Sequence, residues 1–340
     1  MAFDDVPAQE MAVRQITGAL KNGRLAHAYL FVGPVGVGKE RLARELASVL
    51  LCHEPKDSVE PCDNCRSCTL FNAESHPDFI QLGLPEGKQA IPIALIRDLQ
   101  DRMALKPREA SRRVCIITQA QTMSMAAFNC FLKTLEEPPG AAVFVLVASS
   151  VRDIPDTVVS RCQVVRLQNF PQDEVQDKLE SRGLSPDDAA WLARRSWGSP
   201  GRAETDRETG LHEFNREIVQ ELKKLSLSDN FDLSDWVREE AQERGESRAD
   251  ARRVMQELLE CAAIYYRDLA VMASAKGDAV LNNRDFGSNP PEKAPEWRLP
   301  EFVDKAELIF EAIDRIDSNA NQKLALDDLF TRLARARNRI

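Results

Sequence analysis

The run Gly33-Pro34-Val35-Gly36-Val37-Gly38-Lys39-Glu40 restricts what this chain can fold into more than any other segment. It follows the apolar stretch Ala28-Tyr29-Leu30-Phe31-Val32 and opens a segment of helical patterning that reaches about Leu51. A strand, a glycine-rich turn and a helix in that order are the context in which G-x-x-x-x-G-K-[ST] forms a phosphate-binding loop. The backbone N–H groups of such a loop and the helix N-terminus present positive partial charge to phosphate oxygens. Gly33, Gly36, Gly38 and Lys39 are therefore candidate nucleotide-binding residues. The motif then departs from its pattern, because Glu40 stands where a Ser or Thr hydroxyl would hold Mg²⁺. A carboxylate there could touch a metal, but it also sets negative charge close to the phosphates.

Hydrolysis at a P-loop further requires an acidic residue at the end of a neighbouring strand and a group that positions the attacking water. The obvious strand, Val114-Cys115-Ile116-Ile117, ends in Thr118-Gln119-Ala120-Gln121 without a carboxylate. Hydroxyl, metal carboxylate and catalytic carboxylate are missing together. The expectation is a chain that does not hydrolyse ATP efficiently, with nucleotide binding left open.

Around the loop, the first half alternates strand and helix patterns, the signature of a parallel α/β sheet with crossover helices. Strands are expected at 28–32, near 78–82, at 114–118, 143–148 and 163–167, with helices at about 38–51, 93–104 and 124–137. In the last of these helices Met125, Phe128, Leu132 and Leu135 form an apolar stripe, and Pro138-Pro139 end it for want of N–H donors. From Pro171 onward no strand pattern recurs. Short helical patterns broken by Gly183, Pro186, Gly198, Pro200 and Gly201 suggest a small helical lid. Beyond it lies a helical region with a stripe at Val254, Leu258, Cys261, Tyr265, Leu269 and Met272, a Pro- and Asn-containing loop at 274–300, and helices near 301–317 and 322–336. The expected domains are 1–168, 169–225 and 226–340. The acidic stretch 229–246 reads as a solvated face.

The net charge of −9 disfavours a protein that grips nucleic acid by itself through a broad basic face. No run approaches the roughly 18 apolar residues of a membrane span, and the beginning of the chain lacks the pattern of a secretory signal. Eight cysteines without an export signal do not read as a disulfide framework. Cys52, Cys62, Cys65 and Cys68 have the spacing C-x₉-C-x₂-C-x₂-C, which suits a tetrahedral zinc ion. Four thiolates would leave no open position for water, so the expected site is a structural knuckle. His53 is a neighbouring competitor as ligand. Cys115, Cys130, Cys162 and Cys261 read as small buried hydrophobes.

Several phrases in one order resemble a known family. They are Leu25-Ala26-His27-Ala28-Tyr29-Leu30-Phe31, the loop at 33–40, the four cysteines, Ser75-His76-Pro77-Asp78, Lys133-Thr134-Leu135-Glu136-Glu137-Pro138-Pro139, Ser160-Arg161-Cys162 and Gly198-Ser199-Pro200-Gly201-Arg202-Ala203. With Asn319-Ala320-Asn321-Gln322-Lys323-Leu324-Ala325-Leu326 and Leu329, they are similar to bacterial DNA polymerase III clamp-loader subunits. Within that family the absent carboxylates and hydroxyl separate the chain from the tau/gamma motor branch and align it with the delta-prime branch. The resemblance implies an AAA+ α/β module, a helical lid and an all-α collar that assembles a ring with tau/gamma and delta subunits. It implies a non-hydrolysing role in loading the sliding clamp on primed DNA, in the cytoplasmic, nucleoid-associated replisome. Polymerase activity would belong to the complex.

In the same resemblance Arg161 would act as an arginine finger on ATP held by a neighbouring subunit, and Arg202 would match a lid arginine that contacts nucleotide. Two other readings stay open. One is an autonomous, motor-like AAA+ ATPase with an atypical metal site at Glu40; the other, disfavoured by the acidic balance, is a zinc-dependent nucleic-acid-binding module.

Overall fold

The computed structural model describes residues 9–85, 87–225, 230–245, 247–274, 281–283, 299–318 and 321–337. The chain forms two compact units, Met1–Pro171 with Trp197–Arg202, and Gln172–Ser196 with Ala203–Ile340. The first unit is built on five parallel strands: β1 (Ala28–Val32), β2 (Phe79–Leu82), β3 (Arg113–Ile117), β4 (Ala142–Ala148) and β5 (Gln163–Arg166). Their order across the sheet is β2-β3-β4-β1-β5. In this register Leu30 of central β1 lies opposite Leu146 of β4 and Val164 of β5. Every residue of β1, β3 and β4 is buried. That is why these strands read as continuous apolar runs rather than as alternating patterns.

Helices α1 (Glu10–Lys21), α2 (Lys39–Leu51), α3 (Arg66–Asn72), α4 (Ile93–Met103), α5 (Met125–Glu136) and α6 (Asp156–Val159) complete the unit. The expected strands and the three expected helices fall within a residue or two of these bounds. Helix α5 starts where the Ser124 hydroxyl accepts from the Ala127 N–H, satisfying one orphan donor. Its apolar face corrects the expected stripe. Ala127, Phe128, Phe131 and Leu135 are buried, whereas Met125 is 64% exposed. Phe131 meets Phe144 of β4 edge to face at 5.3 Å, so the sheet selects the Phe131 side of the helix. Helix α1 has no counterpart in the sequence reading. It buries Ala12, Ile16 and Leu20. Just before it, Gln9 exchanges two hydrogen bonds with the Gln168 backbone at 2.7 and 3.0 Å.

The described residues of the second unit contain no strand. Helices α7 (Gln172–Glu180), α8 (Pro186–Arg195), α10 (Leu211–Lys224), α11 (Asn230–Arg244), α12 (Arg248–Ser274), α13 (Leu299–Asp317) and α14 (Gln322–Arg337) lie in it, and α9 (Pro200–Glu208) begins in the first unit and continues into the second. On α12 the expected stripe buries Val254, Leu258, Cys261, Tyr265 and Leu269, and Met272 is half-buried. Helix α11 carries residues 230–244 of the acidic stretch and buries Leu233, Val237 and Ala241; residues 229 and 246 lie outside the described residues. Most of the expected loop at 274–300 lies outside the described residues, as do residues 319–320 of the C-terminal motif.

Residues 281–283 depart from a plain linker. The Asp268 carboxylate accepts the N–H groups of Asn282 and Asn283 at 3.2 and 2.8 Å. Asn283 Oδ1 in turn accepts from Trp191 Nε1 and Asn215 Nδ2. The unit also buries a cation, Arg195, which pairs with Asp206 and Glu260 at 3.2 Å each. Such a residue cannot be told from a surface arginine by sequence pattern, because its partners come from other helices.

Candidate functional site

The phosphate loop takes its shape from close backbone approaches that only glycine permits. A Cβ at Gly33 would lie 2.4 Å from the Leu167 carbonyl oxygen. Gly36 has φ +79°, and a Cβ there would lie 2.3 Å from Ser199 Oγ and 2.8 Å from the Arg202 nitrogen. Ser199 donates from its hydroxyl to the Val35 carbonyl at 2.8 Å. The Gly201 N–H donates to the Gly36 carbonyl at 2.9 Å. The segment 198–202 is thus hydrogen-bonded directly onto the loop. Arg202 is half-buried there, its own N–H donating to Ser199 Oγ.

Gly38 caps α2 in the left-handed region, φ 93°. Lys39, only 8% exposed, turns its ammonium onto the carbonyls of Gly33 at 2.7 Å and Pro34 at 2.5 Å. Burial lowers its pKa, and the charge of Glu40 opposes that shift. An open cleft of about 370 Å³ adjoins the loop, lined by Gly36, Gly38, Lys39, Glu40, Gln119 and Gln121 among others. Glu40 is exposed in the first turn of α2, where the helix dipole favours a carboxylate.

Opposite it, Gln119 has φ 49° and Gln121 donates from Nε2 to Ser149 Oγ at 3.3 Å. The side chains that reach the cleft from the end of β3 are therefore amides. Thr118 is not one of them. Its N–H and its hydroxyl both donate to the Leu82 carbonyl, at 2.8 and 3.4 Å, extending the β2–β3 pairing. Amides offer no negative charge to balance a divalent cation, and among the described residues Glu40 is the one carboxylate lining the cleft.

The four cysteines converge. Cys52 caps the C-terminus of α2, Cys65 caps the N-terminus of α3, and Cys68 lies in the first turn of α3. All four Sγ atoms lie within 4.8 Å of one another. A tetrahedral zinc ion with Zn–S of about 2.3 Å separates its sulfurs by about 3.8 Å, so the cluster needs only a small contraction to hold a metal such as zinc. The Cys62 N–H points at Cys52 Sγ and the Cys68 N–H at Cys65 Sγ, at 3.3 and 3.4 Å. Burial raises the Cys65 thiol, but backbone N–H groups of His53 and Cys68 outweigh it and bring its pKa down to about 6. His53 does not join the cluster. Its Nε2 lies 2.9 Å from the Glu109 carbonyl oxygen and 3.6 Å from that residue's carboxylate.

Behind the knuckle lies a network whose role sequence reasoning missed, although its run Ser75-His76-Pro77-Asp78 was visible. Asp78 is fully buried and accepts the consecutive N–H groups of Arg108, Glu109 and Ala110 at 2.7–3.0 Å. Arg113 stands 3.5 Å away. Burial opposes ionisation of Asp78, but these donors and the guanidinium prevail and lower its pKa. The Asp78 N–H donates to His76 Nδ1, so His76 Nε2 carries the proton toward Ser67 Oγ at 2.8 Å. The Ser67 hydroxyl in turn donates to the Leu51 carbonyl at 2.6 Å. The constellation holds α2, α3, β2 and the α4–β3 connection together. With Nδ1 engaged by a backbone amide, it is not a nucleophile–base–acid relay.

Arg161 follows α6 and is not among the residues lining the cleft. Its Nη1 donates to the Thr157 carbonyl at 2.9 Å and its Nη2 to Glu136 Oε1 at 2.5 Å. The side chain remains 36% exposed. Of the scattered cysteines, Cys115 and Cys261 are buried as expected, whereas Cys130 and Cys162 are half-buried. The Cys130 thiol donates to Gln100 Oε1.

Comparison with known proteins places these features in context. The sequence profile of the family described as "DNA polymerase III, delta subunit" matches residues 8–171. A DNA polymerase III subunit delta' of Pseudomonas aeruginosa is 33% identical over 226 residues, covering 65% of this chain and 67% of that one. The Bacillus subtilis subunit delta' is 26% identical over 329 residues, 94% of each chain. The Bacillus subtilis subunit tau is 37% identical over 162 residues, and the match spans only 28% of its length. Among solved structures, a DNA polymerase III gamma subunit-related protein from Thermotoga maritima aligns over 96% of this chain and 99% of that one. Its TM-score is 0.50 and its identity 18%, a likeness of fold.

Proposed function

Because the chain belongs to the delta' family of DNA polymerase III clamp-loader subunits, we propose that it is a non-hydrolysing, stator-type member of that assembly. The observation that carries this reading is the chemistry of the cleft: Glu40 replaces the hydroxyl, and amides replace the strand-end carboxylates. Electrostatic stabilisation of a leaving γ-phosphoryl group needs the opposite distribution of charge. The retained loop then serves as a scaffold that holds segment 198–202, and Arg202 with it, against the sheet.

In this reading Arg161 supplies an arginine finger in trans to ATP on a neighbouring tau/gamma subunit. A guanidinium can pair with two phosphate oxygens and stabilise transition-state charge. The partners are tau/gamma and delta subunits, with the sliding clamp and primed DNA reached through the assembled complex in the cytoplasmic replisome. Residues 169–225 act as lid and 226–340 as collar. Cys52, Cys62, Cys65 and Cys68 hold a structural zinc ion, whose contribution would be to fix the excursion between α2 and β2.

The test is steady-state ATPase of the isolated chain and of a reconstituted assembly with clamp and primed DNA. Negligible Mg²⁺-dependent turnover by the isolated chain is expected. Arg161→Ala should lower turnover of the assembly by about 10–10³-fold without preventing assembly. Hydrolysis by the isolated chain that Lys39→Ala abolishes would instead establish the motor-like alternative.

A further inference from the structure

Two sequence runs that the proposed function uses unequally meet in space. Arg161 belongs to Ser160-Arg161-Cys162, and its partner Glu136 belongs to Leu135-Glu136-Glu137-Pro138-Pro139. Glu136 is the last residue of α5, which the two prolines terminate. Its position is therefore set by the end of a helix whose Phe128, Phe131 and Leu135 lie in the core. Thr157 belongs to α6, whose Val158 enters the same core. The guanidinium is thus held between two helices that share one core, by the Thr157 carbonyl on Nη1 and the Glu136 carboxylate on Nη2.

From this geometry we propose that Glu136 is a positioning residue for Arg161, orienting its guanidinium toward an oxyanion presented from outside the chain. The inference rests on the trans-finger reading above and names the residue that prepares the finger. Nη1 also contacts Ser160 Oγ at 3.4 Å. Among the described residues these bonds leave the Nε–H and one Nη2 hydrogen to donate to an external phosphate. An arginine already held loses less rotamer freedom when it binds. An ion pair this exposed adds little to stability, so removing Glu136 should leave the fold intact.

Two measurements test the proposal. In the isolated full chain, the Arg161 side-chain nitrogen NMR signals should show hindered guanidinium rotation, and Glu136→Ala should release it. In the reconstituted assembly, Glu136→Ala should lower kcat about tenfold with the KM for ATP unchanged. Glu136→Gln keeps an acceptor oxygen and should recover part of that loss. The double variant Glu136→Ala/Arg161→Ala should be no slower than Arg161→Ala alone, because both act through one group. If Arg161→Ala slows turnover while Glu136→Ala leaves kcat or the rotation unchanged, or if the two losses multiply, the positioning role is overturned and the finger stands. If Arg161→Ala itself changes nothing, the finger reading falls and takes this inference with it.

Discussion

At the scale of single residues, Asp78 shows how a short polar run can be structural. A fully buried carboxylate with three backbone donors and a guanidinium is stabilised in its charged form. Its folded pKa lies below the unfolded value, so its contribution is complete above about pH 4 and is lost as pH falls further. Asp78→Asn should leave Arg113 without its buried counter-charge and cost about 3 kcal/mol at neutral pH. The same variant should flatten the acid limb of the stability–pH curve, and chemical denaturation at pH 7 and pH 3 measures both effects. Gly36→Ala belongs to the same scale. Its left-handed φ and the approach of Ser199 Oγ predict a loss of about 1–3 kcal/mol, read as a lower midpoint in thermal unfolding.

At the scale of elements, the cysteine excursion is a long connection between α2 and β2 with only the short α3 inside it. Its internal apolar contribution is small, with Cys52, Pro61, Cys68 and Phe71 as its buried apolar side chains. A segment of this kind depends on a cross-link for its order, and metal binding would be coupled to its folding. Chelation should therefore raise amide hydrogen exchange across residues 52–72 while β1, β3 and β4 remain protected, and Cys62→Ser should do the same without chelator. A zinc content near one equivalent in the purified chain is the companion expectation. The α9 N-terminus is a second case at this scale: Ser199 Oγ caps it by accepting from the Arg202 N–H, while the Gly201 N–H and the Ser199 hydroxyl donate to the phosphate loop.

For the whole molecule, the two compact units interleave along the chain, since Trp197–Arg202 returns to the first. A fragment ending at Pro171 would lack Ser199 and Gly201, which bond the carbonyls of Val35 and Gly36. Limited proteolysis should then cut within 33–38 faster in that fragment than in the full chain. How much of this was legible follows from range. The five strands and the phosphate loop are encoded locally, by apolar runs of β length and by glycines placed before a lysine and a helix. The cysteine spacing likewise announces a cluster before any fold is known. The buried side of α5, the anchoring of Asn282 and Asn283 on Asp268, and the pairing of Arg195 are set by partners 11 to 65 residues away, and no local pattern carries them.

The sequence by itself determined the class of the first unit, the loop with Glu40 in the hydroxyl position, and the absence of carboxylates after β3. Those are matters of residue identity at fixed spacing. Only the tertiary structure decided that Thr118 serves the sheet while Gln119 and Gln121 line the cleft, that segment 198–202 is bonded to the loop, and that Arg161 is held by Glu136. Each of these depends on where a side chain is aimed by a neighbouring element, and that direction is fixed by packing rather than by spacing along the chain.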